Sequence, residues 1–277
     1  MRRAYLTDHS DAEWAYLEAH LPAPKADGRP RIYPLREILD AIFYVVRSGC
    51  AWRLLPHDFP PWKTVYHYFR AWRIDGTWER MHAAIRERLR VRIGRNPQPS
   101  AGIVDSQSVK STGVGGEERG YDGGKQIKGR KRHLLVDTQG LLLRAKVHSC
   151  GLSDRDGIKK PLLEHANELF PRMRHLWLDA GYNGKDKGKD WVEKVLGWTA
   201  EIVKRPRRWV RVPKDEEPPP YPKGFIVLPR RWVVERTISW VGQNRRMSKD
   251  YERLCETGEA FIYVGMTRLM VRRLARV

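Results

Sequence analysis

Three acidic residues, Asp105, Asp179 and Glu235, fall where a shared site could form. Asp105 closes the apolar run Gly102-Ile-Val, and Asp179 closes Leu176-Trp-Leu. A carboxylate at the end of a buried strand projects beyond the sheet, and Gly181 lets the chain turn at once after Asp179. Glu235 lies in Arg230-Arg-Trp-Val-Val-Glu-Arg-Thr-Ile-Ser-Trp240, which reads as a helix with Arg231, Glu235 and Ser239 along one face. Such acids suit phosphodiester chemistry. An attacking oxygen must be activated and a leaving oxygen stabilised, which two Mg²⁺ ions about 4 Å apart can do. Mg²⁺ takes hard oxygen ligands, chiefly carboxylate and water. Each acid also has a plainer use: Asp105 as a turn cap, Asp179 as a strand end, Glu235 as an i, i+4 partner of Arg231. Their strand, strand, helix order favours the shared site.

Composition points to a polyanionic partner. The 277 residues hold 53 Lys+Arg against 33 Asp+Glu, a formal charge of +20. An excess of that size draws a protein to nucleic acid by counterion release. Seven basic residues lie between Lys125 and Lys146 with one acid, Asp137. Of these, Lys125, Lys128, Arg130 and Lys131 are expected on a nucleic-acid-binding face. Three separated cysteines and nine histidines without HExxH spacing argue against disulfides and zinc. No segment has the apolar length of a membrane span or a secretory leader, so a cytoplasmic location and no membrane partner are expected. The Gly-rich stretch 113–129 fails the phosphate-loop pattern and reads as a loop between strands.

The elements that must position these groups fall into two regions. Residues 1–95 read as an all-α domain of helix-turn-helix type, with helices opening at Asp11, from Pro34 to Ser48, after Pro60-Pro61, and from Thr77 to Val91. In the third, Val65, Tyr68, Phe69 and Trp72 share an apolar face. Lys63, Tyr66, His67, Arg70 and Arg73 point away, as a DNA recognition helix requires. The alternative is an ordinary amphipathic helix with a basic solvent face. Asn96-Pro-Gln-Pro-Ser100 marks a boundary. Residues 96–277 then read as α/β: a strand at 103–105, a hairpin 131–137/141–148, a helix 153–170, a strand 174–179, a helix 185–196, a strand 199–203, and closing helices 229–247 and 256–275. This order implies a mixed sheet flanked by helices, with a Pro-rich insertion near 207–226. Trp232 and Trp240, beside the acids, could stack on unpaired bases.

The chain resembles the DDE transposases of bacterial insertion sequences, in the branch grouped with insertion sequence five. The resemblance rests on Tyr33–Tyr44, Gly49–Pro56 and Trp62–Phe69. It continues through Val104-Asp-Ser-Gln-Ser-Val-Lys110, Gly129-Arg-Lys-Arg-His133 and Leu178-Asp-Ala-Gly-Tyr182, and ends with Arg231-Trp-Val-Val-Glu-Arg236 and Arg245–Glu252. It implies an RNase H-like catalytic domain behind a helix-turn-helix domain, with Asp105, Asp179 and Glu235 as catalytic residues and ligands of two Mg²⁺ ions (Mn²⁺ as a substitute). It also implies double-stranded DNA as partner, both terminal inverted repeats and target, and a homodimer or larger assembly on that DNA. Relatives outside this branch carry Tyr-x2-Arg-x3-Glu-x6-Lys around the glutamate. Here Arg231 and Glu235 match, while Leu228 and Gly242 replace the Tyr and Lys, leaving Arg245, Arg246 and Lys249 as candidates to grip the phosphate. A non-catalytic DNA-binding protein and a nuclease without joining activity are the competing expectations.

Overall fold

The computed structural model describes residues 2–23, 30–114, 116–204 and 227–276; the expected insertion at 207–226 lies outside them. Four helices lead the chain: α1 (Asp11–Glu18), α2 (Leu35–Ser48), α3 (Trp62–Ile74) and α4 (Thr77–Arg92). Their ends follow local chemistry. Ser10 and Glu13 form a reciprocal capping box at α1. α2 stops at Gly49, whose φ of 75° is left-handed and whose Cα faces Arg245 so closely that a Cβ would lie 2.9 Å from the Arg245 Cβ.

The sheet is mixed, as its element order implies. β1 (Ala101–Lys110) pairs antiparallel with β3 (Ile127–Asp137) on one side and parallel with β5 (His175–Leu178) on the other. β6 (Thr199–Ile202) continues the parallel side. β2 (Gly120–Asp122) and β4 (Leu142–Ser149) pair antiparallel with β3. Residues 113–129 are therefore not a loop throughout, because 120–122 and 127–129 form a short hairpin. The remaining helices are α5 (Asp154–Gly157), α6 (Ala166–Leu169), α7 (Gly188–Trp191), α8 (Pro229–Gly242) and α9 (Cys255–Leu274).

Three expected helices are shorter than their apolar spacing suggested. The 153–170 segment breaks into α5, a π-helical turn at Ile158–Leu162 containing Pro161, and α6, which starts after His165 in a left-handed conformation. Proline removes a backbone donor and crowds the preceding turn. The 185–196 segment is α7 followed by a second π turn, Val192–Leu196. α8 ends at Gly242, and a separate 3₁₀ turn spans Arg245–Met247.

Strand alternation sends successive side chains to opposite faces and builds two cores. On one face Ile103, Leu134 and Val136 pack with α2, α4, α8 and α9. On the other, Val104, Leu135 and Leu176 pack with the α5–α7 region. The first core continues through Leu17, Phe69 and Trp78 of the leading helices, so one apolar interior crosses the chain boundary at 95/96. α9 runs through it with 14 of its 20 residues buried. Its polar side chains close the outer edge of β4: Tyr263 Oη accepts from the Ala145 N–H (3.1 Å) and Glu259 from the Val147 N–H (2.9 Å). An edge strand is thereby covered.

Asp137 ties the leading helices to the hairpin. It is fully buried, accepts from the backbone of Gln139 and Leu141 (both 2.8 Å), and pairs with Arg90 of α4. Replacing Arg90 with methionine strands a buried carboxylate, a loss of about 3–5 kcal/mol. Denaturant unfolding of Arg90→Met at pH 7.5 should show a loss of that order, and adding Asp137→Asn should recover part of it.

Candidate active site

The pairing register of two strands brings the first two acids together. In the parallel β1–β5 pair, Ala101 lies beside His175, Gly102 beside Leu176 and Ile103 beside Trp177. The same offset places Asp179, one residue past β5, next to Asp105. Neighbouring strands are about 4.8 Å apart, and both residues fall on the face of the sheet that packs against α8. The Asp105 carboxyl is pushed up from 3.8 to about 6, first by burial and then by the Asp179 charge; the Ser106 N–H, Arg231 and Lys125 act in the opposite direction. The Asp179 carboxylate accepts from the Gly181 N–H at 2.7 Å, which fixes the turn after the strand.

Glu235 reaches this pair through an arginine. Arg231, one helical turn earlier on α8, places Nη2 3.3 Å from Glu235 Oε1 and Nη1 4.0 Å from Asp179 Oδ2. Its Nε is buried without a hydrogen-bond partner. Among the described residues, no three His, Cys, Asp or Glu side chains stand in a metal-holding group. The Arg231 guanidinium occupies the space between Asp179 and Glu235. In kind, the donors fit a hard divalent cation: all are carboxylate oxygens, and Asp105 and Asp179 are neighbouring acids.

Behind Asp105, on the opposite face of the sheet, lies a polar cluster. Asp154, at the start of α5, accepts from Ser106 Oγ and Lys131 Nζ, both at 2.8 Å. His133 is fully buried, with Nδ1 2.7 Å from His148 Nε2 and Nε2 2.9 Å from Tyr182 Oη. His148 Nδ1 lies 2.9 Å from the Ser149 carbonyl, so it carries a proton. With both rings neutral, that bond assigns the whole chain: His133 Nδ1–H donates to His148, and Tyr182 O–H donates to His133. Burial lowers the pKa of both histidines and raises that of the Tyr182 phenol, which also feels Asp105, Asp154 and Asp179. Tyr182 sits three residues past Asp179, so this network anchors the turn that presents the acid. Asp154 carries no role in the sequence beyond the N-cap signal Ser153-Asp154, and Tyr182 and His133 appear there only as the last residues of two family motifs, Leu178–Tyr182 and Gly129–His133.

The residues expected to touch DNA divide sharply. Lys63, Tyr66, His67 and Arg70 are exposed on α3, with Arg73 half-buried, while Val65, Phe69 and Trp72 are buried beneath them. Lys125, Lys128, Arg245 and Lys249 are exposed, as is Trp232; Arg231 is half-buried. Arg130, Lys131 and Arg246 are not available, and the expectation for them is corrected. Arg130 is 1% exposed and donates to Asp250, Glu117, Glu252 and Arg253. Lys131 is buried against Asp154 and Asp122, and Arg246 pairs with Glu252 at 2.7 Å. A basic run on a central strand has no solvent face, so its charges are met internally.

A mixed sheet flanked by helices, with acids on two adjacent strands and a third on a helix across that face, is an RNase H-like arrangement behind an N-terminal helical region. The profile described as "Transposase DDE domain" matches residues 96–264, and the one described as "Putative transposase of IS4/5 family" matches residues 10–82. The chain belongs to the DDE-domain transposase family. It is similar to the "Insertion element IS402 uncharacterized 16.2 kDa protein" of Burkholderia cepacia, with 31% identity over 111 residues, 38% of this chain and 74% of that protein. No solved structure matches it. Among the described residues, no helix is long and apolar enough to cross a membrane.

Two expectations follow. Folding raises the Asp105 pKa from 3.8 to about 6, so the native state binds the proton more tightly. This group's contribution to stability therefore falls as pH rises from about 4 to about 6. Without divalent metal, Asp105→Asn should be more stable than the parent at pH 7.5, by at most about 3 kcal/mol. The gain should shrink towards pH 4, as thermal melts in EDTA would show. Tyr182→Phe removes the donor to His133 Nε2 and should lose about 1–3 kcal/mol, with the freed nitrogen visible in imidazole ¹⁵N shifts.

Proposed function

We propose that the protein catalyses DNA transposition: metal-dependent cleavage at the ends of a mobile element, then transfer of the freed 3′-hydroxyl into target DNA. The observation that carries this reading is the strand register that sets Asp105 beside Asp179, with Glu235 linked to the pair through Arg231. Family membership supplies the class of reaction.

Asp105 and Asp179 would hold divalent cations of the Mg²⁺ type, two per site, with Mn²⁺ as a substitute. Glu235 completes the set when Arg231 swings out from between the acids. Three carboxylates bring a charge of −3 against +4, leaving room for a phosphate. The bound ions supply activation of the attacking oxygen and stabilisation of the leaving one. Arg231, once displaced, keeps its guanidinium within reach of the scissile phosphate and orients it in line with the attacking hydroxyl. The Tyr182–His133–His148 chain holds the Asp179 turn still. The exposed face of α3, with Lys63, Tyr66, His67, Arg70 and Arg73, suits recognition of the terminal inverted repeats. Pairing of two ends calls for a homodimer or larger assembly on double-stranded DNA, working in the cytoplasm of a bacterial-type cell.

The test uses end-sequence duplex with Mg²⁺ or EDTA. The parent should nick and join strands only with Mg²⁺, and Asp105→Asn, Asp179→Asn and Glu235→Gln should each reduce both products to background. Nicks without joined strands would leave a nuclease; binding without either product would leave a DNA-binding protein. Independently of activity, Mg²⁺ should raise the parent's melting temperature at pH 7.5, since a ligand of the native state stabilises it, and should not raise that of Asp105→Asn.

A further inference from the structure

Among the described residues, a dense group of arginines lies away from α3. A cleft of about 270 Å³ between the ends of α2, α8 and α9 is lined by Arg47, Arg268, Arg272, Arg273 and Arg276, and no acid lines it. A second cleft, of about 500 Å³, shares Trp240, Arg273 and Arg276 with the first and adds Arg95 and Arg236, again with no acid. Seven arginines thus flank one tryptophan. The nearest compensation is at the rim, where Glu13 stands 3.6 Å from Arg272. Asp137, behind Arg236 and Arg273, is committed to Arg90.

The heads of five of these arginines, Arg47, Arg236, Arg268, Arg272 and Arg273, have partners. The Arg273 and Arg236 guanidinium groups lie 4.4 and 4.6 Å from the centre of the Trp240 ring, and Arg236 also lies 4.5 Å from that of Trp232. Arg47 donates to the Gln243 carbonyl and Arg268 to the Leu6 carbonyl. The crowding has an electrostatic cost. Arg268 is brought down to about 10 by burial, then by Arg272 and Arg47, and Arg273 is lowered by burial and by Arg236. Glu13 and Asp40 act on Arg268, and Asp137 acts on Arg236 and Arg273, but seven arginines outnumber these acids, which suits an anion supplied from outside. Planar guanidinium forks suit phosphate oxygens in particular.

Position says which phosphates. Arg236 follows Glu235 directly, and Trp240 lies five residues beyond Glu235 on α8, an axial rise of about 7.5 Å. We propose that the paired clefts around Trp240 are a second nucleic-acid site, holding the sugar–phosphate backbone of duplex DNA where it leaves the active site along α8. Contacts of this kind carry no base readout, so the site binds without sequence preference, apart from end recognition by α3. This inference rests on the transposase reading proposed above.

The experiment measures the slope of log affinity against log salt for the full-length protein on two duplexes, one with the element end and one of scrambled sequence. The triple variant Arg272→Gln/Arg273→Gln/Arg276→Gln is compared with the parent, and the single Arg276→Glu, exposed at the end of α9, serves if the triple melts early. Each lost phosphate contact should flatten the slope by about 0.9, so the triple should lose about 2–3 on both duplexes. Inorganic phosphate should compete only weakly with either duplex. An unchanged slope in both variants, with the parent still nicking end DNA in Mg²⁺, overturns the site and leaves the transposase reading standing. A loss confined to the end-sequence duplex also overturns it, because the contacts would then serve end recognition. A parent that neither binds nor nicks DNA overturns the transposase reading, and this site with it.

Discussion

The arrangement depends on one offset. β1 and β5 run parallel with a register that sets Asp105 beside Asp179. A slip of one residue would turn one carboxylate to the opposite face of the sheet, because strand side chains alternate. The register is pinned on both faces. Val104, Leu176 and Leu178 are buried against the α5–α7 side, while Ile103 and Trp177 pack on the α8–α9 side. Apolar packing therefore forces two like charges together, and the Asp105 pKa is raised first by burial and then by the Asp179 charge. Arg231 offsets part of it from across the site. Its other partner, Glu235, is one turn away on α8, so the same cation sets the distance between the helix and the strand ends.

β3 works as a clamp from both faces. Arg130 and Arg132 point to the α9 side, where they donate to carbonyls of Met247, Lys249, Glu252 and Arg253. Five side-chain and backbone groups of the segment between α8 and α9 are thus gathered by two guanidinium forks. Lys131 and His133 point the other way, to Asp154 and Tyr182. Gly129 begins this clamp because nothing larger fits: a Cβ there would lie 2.0 Å from the Val109 carbonyl oxygen. One strand thereby fixes the chain after α8 and the turn after Asp179.

Much of this was legible in the sequence, and the reasons for the rest are physical. Apolar runs before Asp105 and Asp179 mark two strands that pair, although β1 continues five residues past Asp105 through polar positions that the apolar run did not show, and 3.6-residue periodicity placed α2, α3 and α9 correctly. The run Gly129–His133 misled because charge counts do not distinguish inside from outside. Its partners Asp154 and Asp250 lie 23 and 120 residues from Lys131 and Arg130, respectively, and only the sheet brings them close. Asp154 went unnoticed for a related reason: in sequence it is one residue past a helix-capping serine, while in space it accepts from the strand behind the active site. The Trp240 clefts had no linear signal either, since their arginines come from four separate stretches of chain.

The buried ion pairs change what the net charge means. Arg90 is matched by Asp137, Arg130 by Asp250, Lys131 by Asp154 and Arg246 by Glu252. Each pair removes one charge of each sign from the surface and so leaves the excess of 20 unchanged. α9 then distributes it. Its buried length joins the leading helices to the edge of β4 through Glu259 and Tyr263, and its last two turns, with Arg276 just beyond them, line the cleft beside α8 with Arg268, Arg272 and Arg273. The helix that holds the sheet edge therefore also fixes where the positive surface stands relative to Glu235. The surface and the third acid thus share one helix, α8, which ties the position of the positive charge to that of Glu235.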